Sequence, residues 1–500
     1  MIIARVLAAL TAAAGLTAWI FLLQGGLVLS HYDARAHLVV SRRIIDNITP
    51  GWQQVGAVWL PLPHLVNAFP SQVDFFYRTG LFASLVSVAC FAVTAYATAR
   101  LVLAATGSVL GAAVAAALLA LNPNLLYLQA TPMTEPMLLA SLSLIVLWLY
   151  EWVPLNRDPV PRRLGVACIA ATLTRYEAWP VIAAAIAAAA YASARLGAPT
   201  GVAVRRAMRL ALWPALAVVL ALVNSRITVG AWFVSDGFFV PDAGYEGQSL
   251  RSVLAVWWGT HQLSTRVTEI VALAAAGFFV LRSLSQRAGA ASVVPVALFA
   301  AGALPALAFY QGHPFRVRYM VPLVAACALF CGLAVGVLRE YPRIILAAVL
   351  VGITLIQSPP WRRDAPMLLE AQWDHAAIEG RRAVTACLAA AYADEKVLAS
   401  MASLAHYMQD LSAAGLGIAD FVHEGNGVIW QLAMETGPAP HAGWMLVEEQ
   451  AEGGDVLATR IGRDPSFTRG MQRICEGGGV ALYKRVDLTT TPATSTNADR

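Results

Sequence analysis

Long apolar runs, repeated along most of the chain, limit the choice of fold more than any other feature. Runs of roughly 17–25 apolar residues recur before residue 358, and a helix of that length crosses the hydrocarbon core of a bilayer. Apolar residues make up 58% of the chain and charged residues only 13%, too few for a water-soluble protein of 500 residues. We therefore predict an all-α polytopic membrane protein with about eleven transmembrane helices.

The predicted spans cover residues 6–29, 79–99, 107–122, 136–153, 164–174, 179–195, 209–229, 266–282, 293–310, 320–338 and 343–357. The fifth and sixth are separated only by a short charged stretch, so a single long helix is the alternative there. The first run is too long for the core of a signal peptide and lacks a small-residue cleavage site, which predicts a retained span.

Arginine placement predicts the topology, because positively charged loops stay in the cytoplasm. A cytoplasmic N-terminus puts these arginines inside: Arg5, Arg100, Arg157, Arg162, Arg163, Arg195, Arg205, Arg206, Arg209, Arg282, Arg287, Arg339 and Arg343. Arginine and alanine greatly exceed lysine, which occurs only at Lys396 and Lys484, and this bias is typical of a GC-rich bacterial genome. We expect a multi-pass protein of the bacterial inner (plasma) membrane. The net charge of +5 does not indicate nucleic-acid binding.

The composition becomes that of a soluble protein after about residue 358. Short apolar stretches separated by turn residues predict strands, and a periodic stretch between them predicts a helix. We predict three regions: a transmembrane domain at 1–357, a small extracytoplasmic α/β domain at 358–486 and a disordered Thr-rich tail at 487–500. Cys387 and Cys475 lie in the α/β domain and would form a disulfide, or remain free, according to the redox state of their compartment.

The first polar set comes directly after the first span and reads YDARAH. Asp33 is either a residue that solvates the end of a helix or a catalytic carboxylate that faces a membrane-borne substrate. His37, and His64 further along the same loop, are candidates for orienting a substrate. The loop between them alternates apolar and polar residues, as an interfacial segment does.

Three further sets lie at the same predicted side, and each also has a purely structural interpretation. Glu135, in TPMTEP, would complement a helix dipole or contribute to a site. Arg175 and Glu177, in LTRYEAW, would form a buried structural pair or a phosphate site. RVRY holds Arg316, Arg318 and Tyr319, which would form a solvated collar or a phosphate clamp.

The location of these sets distinguishes two classes of protein. They lie at the outer ends of spans, whereas a transporter places ionisable residues within its helices. An enzyme that draws a phosphorylated lipid from the outer leaflet would place them at the ends. The sequence contains no HExxH, P-loop, GxSxG or CxxC motif, which argues against metalloprotease, NTPase, hydrolase and redox functions.

The order of YDARAH, TPMTEP, LTRYEAW and RVRY resembles the C-superfamily of membrane glycosyltransferases (GT-C). This superfamily uses polyprenyl-phosphate sugars and includes the dolichyl-phosphate-mannose protein mannosyltransferases. The resemblance covers residues 5–357 as architecture, with the C-terminal domain as a common accessory. It implies that Asp33 is the catalytic base of an inverting transfer of a sugar, such as the hexose mannose. It implies no cofactor and no metal site, although a divalent metal stays possible.

The implied partners are a polyprenyl-phosphate-linked sugar donor, membrane lipids and an acceptor that is a protein, a lipid or a glycan. The other candidates would bind substrate: His37, His64, Glu135, Arg175, Glu177, Arg316, Arg318 and Tyr319. A transporter or flippase of a lipid-linked substrate is the alternative function, and a non-catalytic membrane scaffold is a third. Convergence of Asp33, Glu135, Arg175 and Arg318 on one cavity would favour the transferase, and scatter would favour the scaffold.

Overall fold

A computed structural model of the chain describes residues 1–234, 240–450 and 455–486. They form two compact units, the first made of Met1–Leu38 and Val55–Trp373 and the second of Val39–Gln54 with the chain from Asp374 onward. The C-terminal part of the second unit therefore begins at Asp374 rather than at residue 358, and the unit also includes residues 39–54, which were predicted to belong to the first outer loop. The predicted tail, 487–500, lies outside the described residues.

The first unit is helical. Its helices are α1 Ile2–Gln24, α2 Tyr32–Arg43 (within which the boundary at Leu38 falls), α3 Leu62–Asn67, α4 Asp74–Thr79, α5 Leu81–Thr106, α6 Val109–Ala120, α7 Pro123–Gln129, α8 Glu135–Trp152, α9 Arg162–Thr172, α10 Ala178–Arg195, α11 Thr200–Val229, α12 Ser249–Leu263, α13 Arg266–Ser285, α14 Ala303–Tyr310, α15 Val321–Val337, α16 Glu340–Gln357 and α17 Pro366–Ala371. 3-10 helices accompany them, and two of these begin spans: the 16-residue Arg287–Gly302 leads into α14 and Val317–Met320 leads into α15.

The multi-span prediction is confirmed by the helices. Within the described residues, nine are long and apolar enough to cross a membrane, and the bent pair α6–α7 would make a tenth. The predicted span at 164–174 is helix α9, whose 11 residues extend only about 16 Å, well short of the roughly 30 Å hydrocarbon core. α9 and α10 are separate helices, because the chain turns at residues 173–177.

The centre of the first unit is the span Val317–Val337, of which 89% is buried. It packs against α5, α6 and α13. Glycine permits the close approach to α6, because a Cβ atom on Gly332 would lie only 2.7 Å from the backbone oxygen of Gly111. Small residues at such crossings let the backbones of two membrane helices approach closely. The span is thereby fixed in place, and Arg318 lies in its first turn.

The second unit is an α/β domain, as predicted. Its elements are β1 Val397–Ala399, β2 Phe421–Val422, β3 Trp444–Glu448, β4 Met471–Gly477, β5 Val480–Arg485, α18 Ile378–Ala391, α19 Leu404–Ala413, α20 Val428–Thr436 and α21 Val456–Arg463. The strand order is β2-β1-β3-β5-β4, with β1 parallel to both neighbours and β5 antiparallel to both of its own.

A disulfide and an inserted segment stabilise the second unit. Cys387 of α18 and Cys475 of β4 are bonded, with their Cα atoms 6.7 Å apart, so the open question of their pairing is answered. The carboxylate of Asp46, in the inserted segment Val39–Gln54, accepts hydrogen bonds from the backbone N–H groups of Ile418 and Ala419, each at 3.0 Å. The segment joins this unit through such polar contacts, and its hydrophobic pattern gave no sign of them.

Candidate active site

Asp33 and Arg318 form a buried ion pair within the first unit. Asp33 lies in the first turn of α2, shortly after α1 ends, and only 7% of it is exposed. Its Oδ2 lies 2.7 Å from Nη2 of Arg318. The backbone N–H of Asp33 donates to Nδ1 of His31 at 3.0 Å. YDARAH and RVRY thus meet through a charge-assisted hydrogen bond between Asp33 and Arg318, which are 285 residues apart in sequence.

A second carboxylate, that of Glu370, holds the other side of the same guanidinium. Oε1 of Glu370 accepts from Nη1 of Arg318 at 3.0 Å, and its Oε2 accepts from the backbone N–H of Val317 at 3.2 Å. Nε2 of His31 lies 3.1 Å from Nη1 of Arg318 and 3.5 Å from Glu370. Arg318 therefore pairs with two carboxylates, one near the start and one near the end of the first unit's sequence.

Neither Glu370 nor His31 was predicted as a site residue from the sequence. Glu370 lies on α17, after the last span, in a stretch whose composition is that of a soluble domain. A carboxylate directly after the apolar stretch MLL was its only signal. His31 directly precedes YDARAH, and its position beside Asp33 was sufficient reason to include it.

TPMTEP and LTRYEAW meet around Arg175. Its Nη1 lies 3.0 Å from Oε1 of Glu135, and its Nη2 lies 2.7 Å from Oε1 of Glu177. Nη1 also donates to Oγ1 of Thr134 at 2.9 Å. Glu135 is 1% exposed, so its charge depends on Arg175 for compensation. Like Arg318, Arg175 is thus shared between two carboxylates.

The two arginine centres belong to one electrostatic cluster. Burial alone would raise the pKa of Asp33, but nearby positive charges, first that of Arg318 and also that of Arg175, outweigh burial and hold that pKa at about 2. Asp33 is therefore ionised at neutral pH.

The same surroundings keep His37 neutral. Burial lowers its pKa to about 3, against the opposing effect of the Asp33 charge. Asp33, Glu135, Arg175 and Arg318 thus lie close enough for their charges to act on one another.

His37 and His64 lie side by side at the edge of this cluster. Nδ1 of His37 is 3.0 Å from Nε2 of His64, and Nδ1 of His64 is 3.1 Å from the carbonyl oxygen of Leu60. The ring of Trp59 lies 4.4 Å from that of His37. His37 and Thr134 line one small cavity of about 10 Å³, which is room for about one water molecule.

Tyr319 and Arg316 complete the predicted set. The ring of Tyr319 is 5.6 Å from the guanidinium carbon of Arg318, and its hydroxyl lies 3.2 Å from Nε2 of His313. Arg316 is half-buried, and its charge acts on Glu370. Arg175 and Arg318 already hold two carboxylates each, so a phosphate would reach either of them by exchange with a carboxylate.

No three His, Cys, Asp or Glu side chains stand in an arrangement that would hold a metal ion, in the part of the chain that the structure describes. The sequence-based expectation of a metal-independent site therefore stays a prediction.

Comparison with solved structures identifies proteins of similar fold. No protein-family model matches the sequence, and no curated protein matches it significantly. The crystal structure of ArnT from Cupriavidus metallidurans bound to undecaprenyl phosphate is similar, with a TM-score of 0.56, 12% identity and coverage of 97% of this chain and 99% of that chain. The apo structure of the same ArnT gives a TM-score of 0.51, 13% identity and coverage of 96% and 97%. The chain therefore shares the fold of these ArnT structures over nearly its whole length.

Proposed function

We propose that this protein is a membrane glycosyltransferase that moves a sugar from a polyprenyl-phosphate donor to an acceptor on the extracytoplasmic side. The buried ion pair between Asp33 and Arg318, at the start of a span, is the observation that carries the proposal. The shared fold supports it, since ArnT was crystallised with undecaprenyl phosphate. The sugar is a hexose such as mannose, and the N-terminus faces the cytoplasm.

Asp33 is the general base in this proposal. The acceptor hydroxyl attacks the anomeric carbon, its proton passes to Asp33, and the bond from that carbon to the phosphate oxygen breaks. Polyprenyl phosphate leaves with the electron pair of that bond, and the configuration at the anomeric carbon is inverted. Arginine stabilises the charge that develops on the leaving phosphate.

Arg318 connects donor binding with the strength of the base. A carboxylate with a pKa of about 2 accepts protons poorly. When the donor phosphate takes over Nη2 of Arg318, Asp33 loses its closest cation and its pKa rises. The base is thereby activated only when a donor is bound, which also protects the donor from premature attack by water.

The remaining candidates bind and orient substrate. Glu135 and Glu177 hold Arg175 in position. The donor phosphate binds Arg175 by displacing one of these carboxylates. His37 is neutral and lies next to His64, so the pair positions the acceptor by hydrogen bonds rather than by charge.

Asp33→Asn tests the proposal. In purified, folded protein we expect kcat for sugar transfer from a polyprenyl-phosphate donor to fall by about 10²–10⁴-fold, the usual contribution of a general base. Asp74→Asn is the matched control, because Asp74 lies in the same connection between α1 and α5 and pairs with Arg78 at 2.8 Å, but is half exposed. Near-normal transfer by Asp33→Asn would refute the assignment. A flippase would instead move intact donor across a vesicle without consuming it.

A further inference from the structure

A large cleft opens at the end of the helix bundle that is opposite to Asp33 and Arg318. Its volume is about 1210 Å³, above the range of roughly 300–1,000 Å³ that is usual for small-molecule sites. The last residues of α5, the last two turns of α13 and the turn between α15 and α16 line it. Nineteen residues of helix, or about 28 Å, separate Arg318 from Val337 at the cleft.

The cleft is positively charged. Arg282, Arg339 and Arg343 line it, and Glu340 is the one acid among its lining residues. Arg343 is anchored, since its Nε donates to the carbonyl oxygen of Leu338 at 3.0 Å and its Nη2 to that of Gly336 at 3.3 Å. Arg282 and Arg339 form no ion pair with any acid in residues 1–234, 240–450 or 455–486. The lining of the cleft therefore carries more positive than negative charge.

Part of the wall of the cleft is apolar and exposed. Phe278, Leu281 and Tyr341 line it with 47%, 66% and 79% of their surface accessible. Tyr341 lies two residues after Arg339 in sequence, and tyrosine is enriched where a membrane meets water. A ligand that fits must therefore carry a negative charge at one end and a hydrocarbon chain at the other.

We propose that this cleft binds an anionic phospholipid, with the phosphodiester between Arg282 and Arg339 and an acyl chain along Phe278 and Leu281. Basic pockets between transmembrane helices at the cytoplasmic side recognise such headgroups, and the arginine distribution predicts that this end is cytoplasmic. The proposal does not depend on the function proposed for Asp33. Binding at the cleft and catalysis at the opposite end are therefore separable.

Binding of short-chain phosphatidylglycerol to the full-length protein in neutral detergent, measured by native mass spectrometry, tests the proposal. Each arginine near a membrane surface contributes roughly fivefold to anionic-lipid binding, so Arg282→Gln combined with Arg339→Gln is expected to weaken it about 30-fold. Phosphatidylcholine with the same chains should bind weakly and be unaffected. Asp33→Asn should bind phosphatidylglycerol as the unaltered protein does.

The matched control combines Arg205→Gln with Arg287→Gln, which removes two exposed arginines that do not line the cleft. We expect the control to bind phosphatidylglycerol within about twofold of the unaltered protein. Equal weakening by the control would show non-specific attraction and overturn the proposal. Competition by inorganic phosphate at the same concentration as phosphatidylglycerol would reassign the cleft to a soluble anion. If the double variant fails to fold, Arg282→Gln alone should weaken binding about fivefold, and an unchanged affinity would refute the proposal.

Discussion

Arg318 is the residue through which the parts of the candidate site are joined. Its Nη2 faces Asp33 and its Nη1 faces Glu370, so each carboxylate fixes one side of a planar group. Burial would raise the pKa of Glu370, but its hydrogen bond to His31 and the charge of Arg318 lower it below its usual value. Glu370 is thus ionised at neutral pH and holds Arg318 without touching the reacting atoms in our proposal. It is a positioning residue.

Glu370→Gln should separate catalysis from donor binding. We expect kcat to fall about tenfold or more, because a guanidinium held on one side only is misplaced by the fraction of an ångström that matters in catalysis. The Kd for undecaprenyl phosphate should stay the same or become tighter, since a carboxylate that competes with phosphate for Arg318 is gone. Steady-state kinetics and a binding assay on the same preparation measure both.

Asp364→Asn is the control for Glu370, because Asp364 lies six residues earlier and pairs with Arg362 at 3.0 Å, but is 69% exposed. It should leave both kcat and Kd unchanged. A Glu370→Gln protein with weaker phosphate binding and a lower Tm would show that Glu370 has a merely structural role.

His423 should make the second unit sensitive to acid. It is fully buried, Nδ1 accepts from the N–H of Gly425 at 3.1 Å, and burial lowers its pKa to about 3. Below the ordinary pKa of about 6.5 the unfolded chain binds a proton that the folded chain does not. The contribution of His423 is therefore complete above about pH 6.5 and is lost at about 1.4 kcal/mol per pH unit as the pH falls towards about 3.

His423→Gln should remove that part of the pH dependence. The measurement is hydrogen exchange of the backbone amides of residues 421–427 between pH 5 and 7, corrected for intrinsic rates. The exposed His375→Gln is the control and should retain the slope of the unaltered protein. An unchanged slope in His423→Gln would contradict the assignment.

At the scale of elements, a buried charge network ties α18 to β3. Nη1 of Arg381 lies 2.7 Å from Oδ2 of Asp374, and its Nη2 lies 3.0 Å from Oε1 of Glu448. Nδ1 of His406, on α19, lies 2.7 Å from the same Glu448 oxygen. Arg381 thus pairs with two buried carboxylates that His406 also contacts, and such pairing matters because isolated charges are costly away from water.

Arg381→Met should destabilise the second unit by about 3–5 kcal/mol, because it leaves Asp374 and Glu448 buried without their cation. The denaturant dependence of hydrogen exchange at the amides of β3 measures the free energy of unfolding. Arg473→Met removes an arginine that also pairs with two acids, Glu449 and Glu476, but that is 41% exposed, so it should cost less than about 1 kcal/mol. Equal losses in the two variants would show that burial does not decide the cost.

Helix α17 has only six residues and depends on its neighbours for a fixed position. The backbone N–H of Met367, in its first turn, donates to Oδ1 of Asn124 at 3.0 Å. Nδ2 of Asn124 and Nδ2 of Asn122 both donate to the carbonyl oxygen of Leu263, at 3.3 Å and 2.7 Å. The NPN sequence at the start of α7 therefore fixes the short helix that carries Glu370.

At the scale of the whole molecule, the features that could be predicted from sequence are those that leave a one-dimensional pattern. Apolar runs indicated the spans, because a helix that crosses a membrane consists of about 20 consecutive, mostly apolar residues. Polar sets at the ends of the runs indicated Asp33, Glu135, Arg175 and Arg318. Glu370 and the assignment of residues 39–54 could not be obtained in this way, because each depends on a few long-range polar contacts that leave no periodicity in the sequence.

The position of Glu370 after the last span also sets an order of events during synthesis. It lies 339 residues after His31, so at about 5–20 residues per second the ribosome needs on the order of tens of seconds between the two. By then, all the spans that the described residues form have been translated. Asp33 is therefore synthesised long before its partner Arg318, and Arg318 before Glu370. A polypeptide released after Gln357 but before residue 370 would therefore contain every span that the described residues form and yet lack a completed cluster.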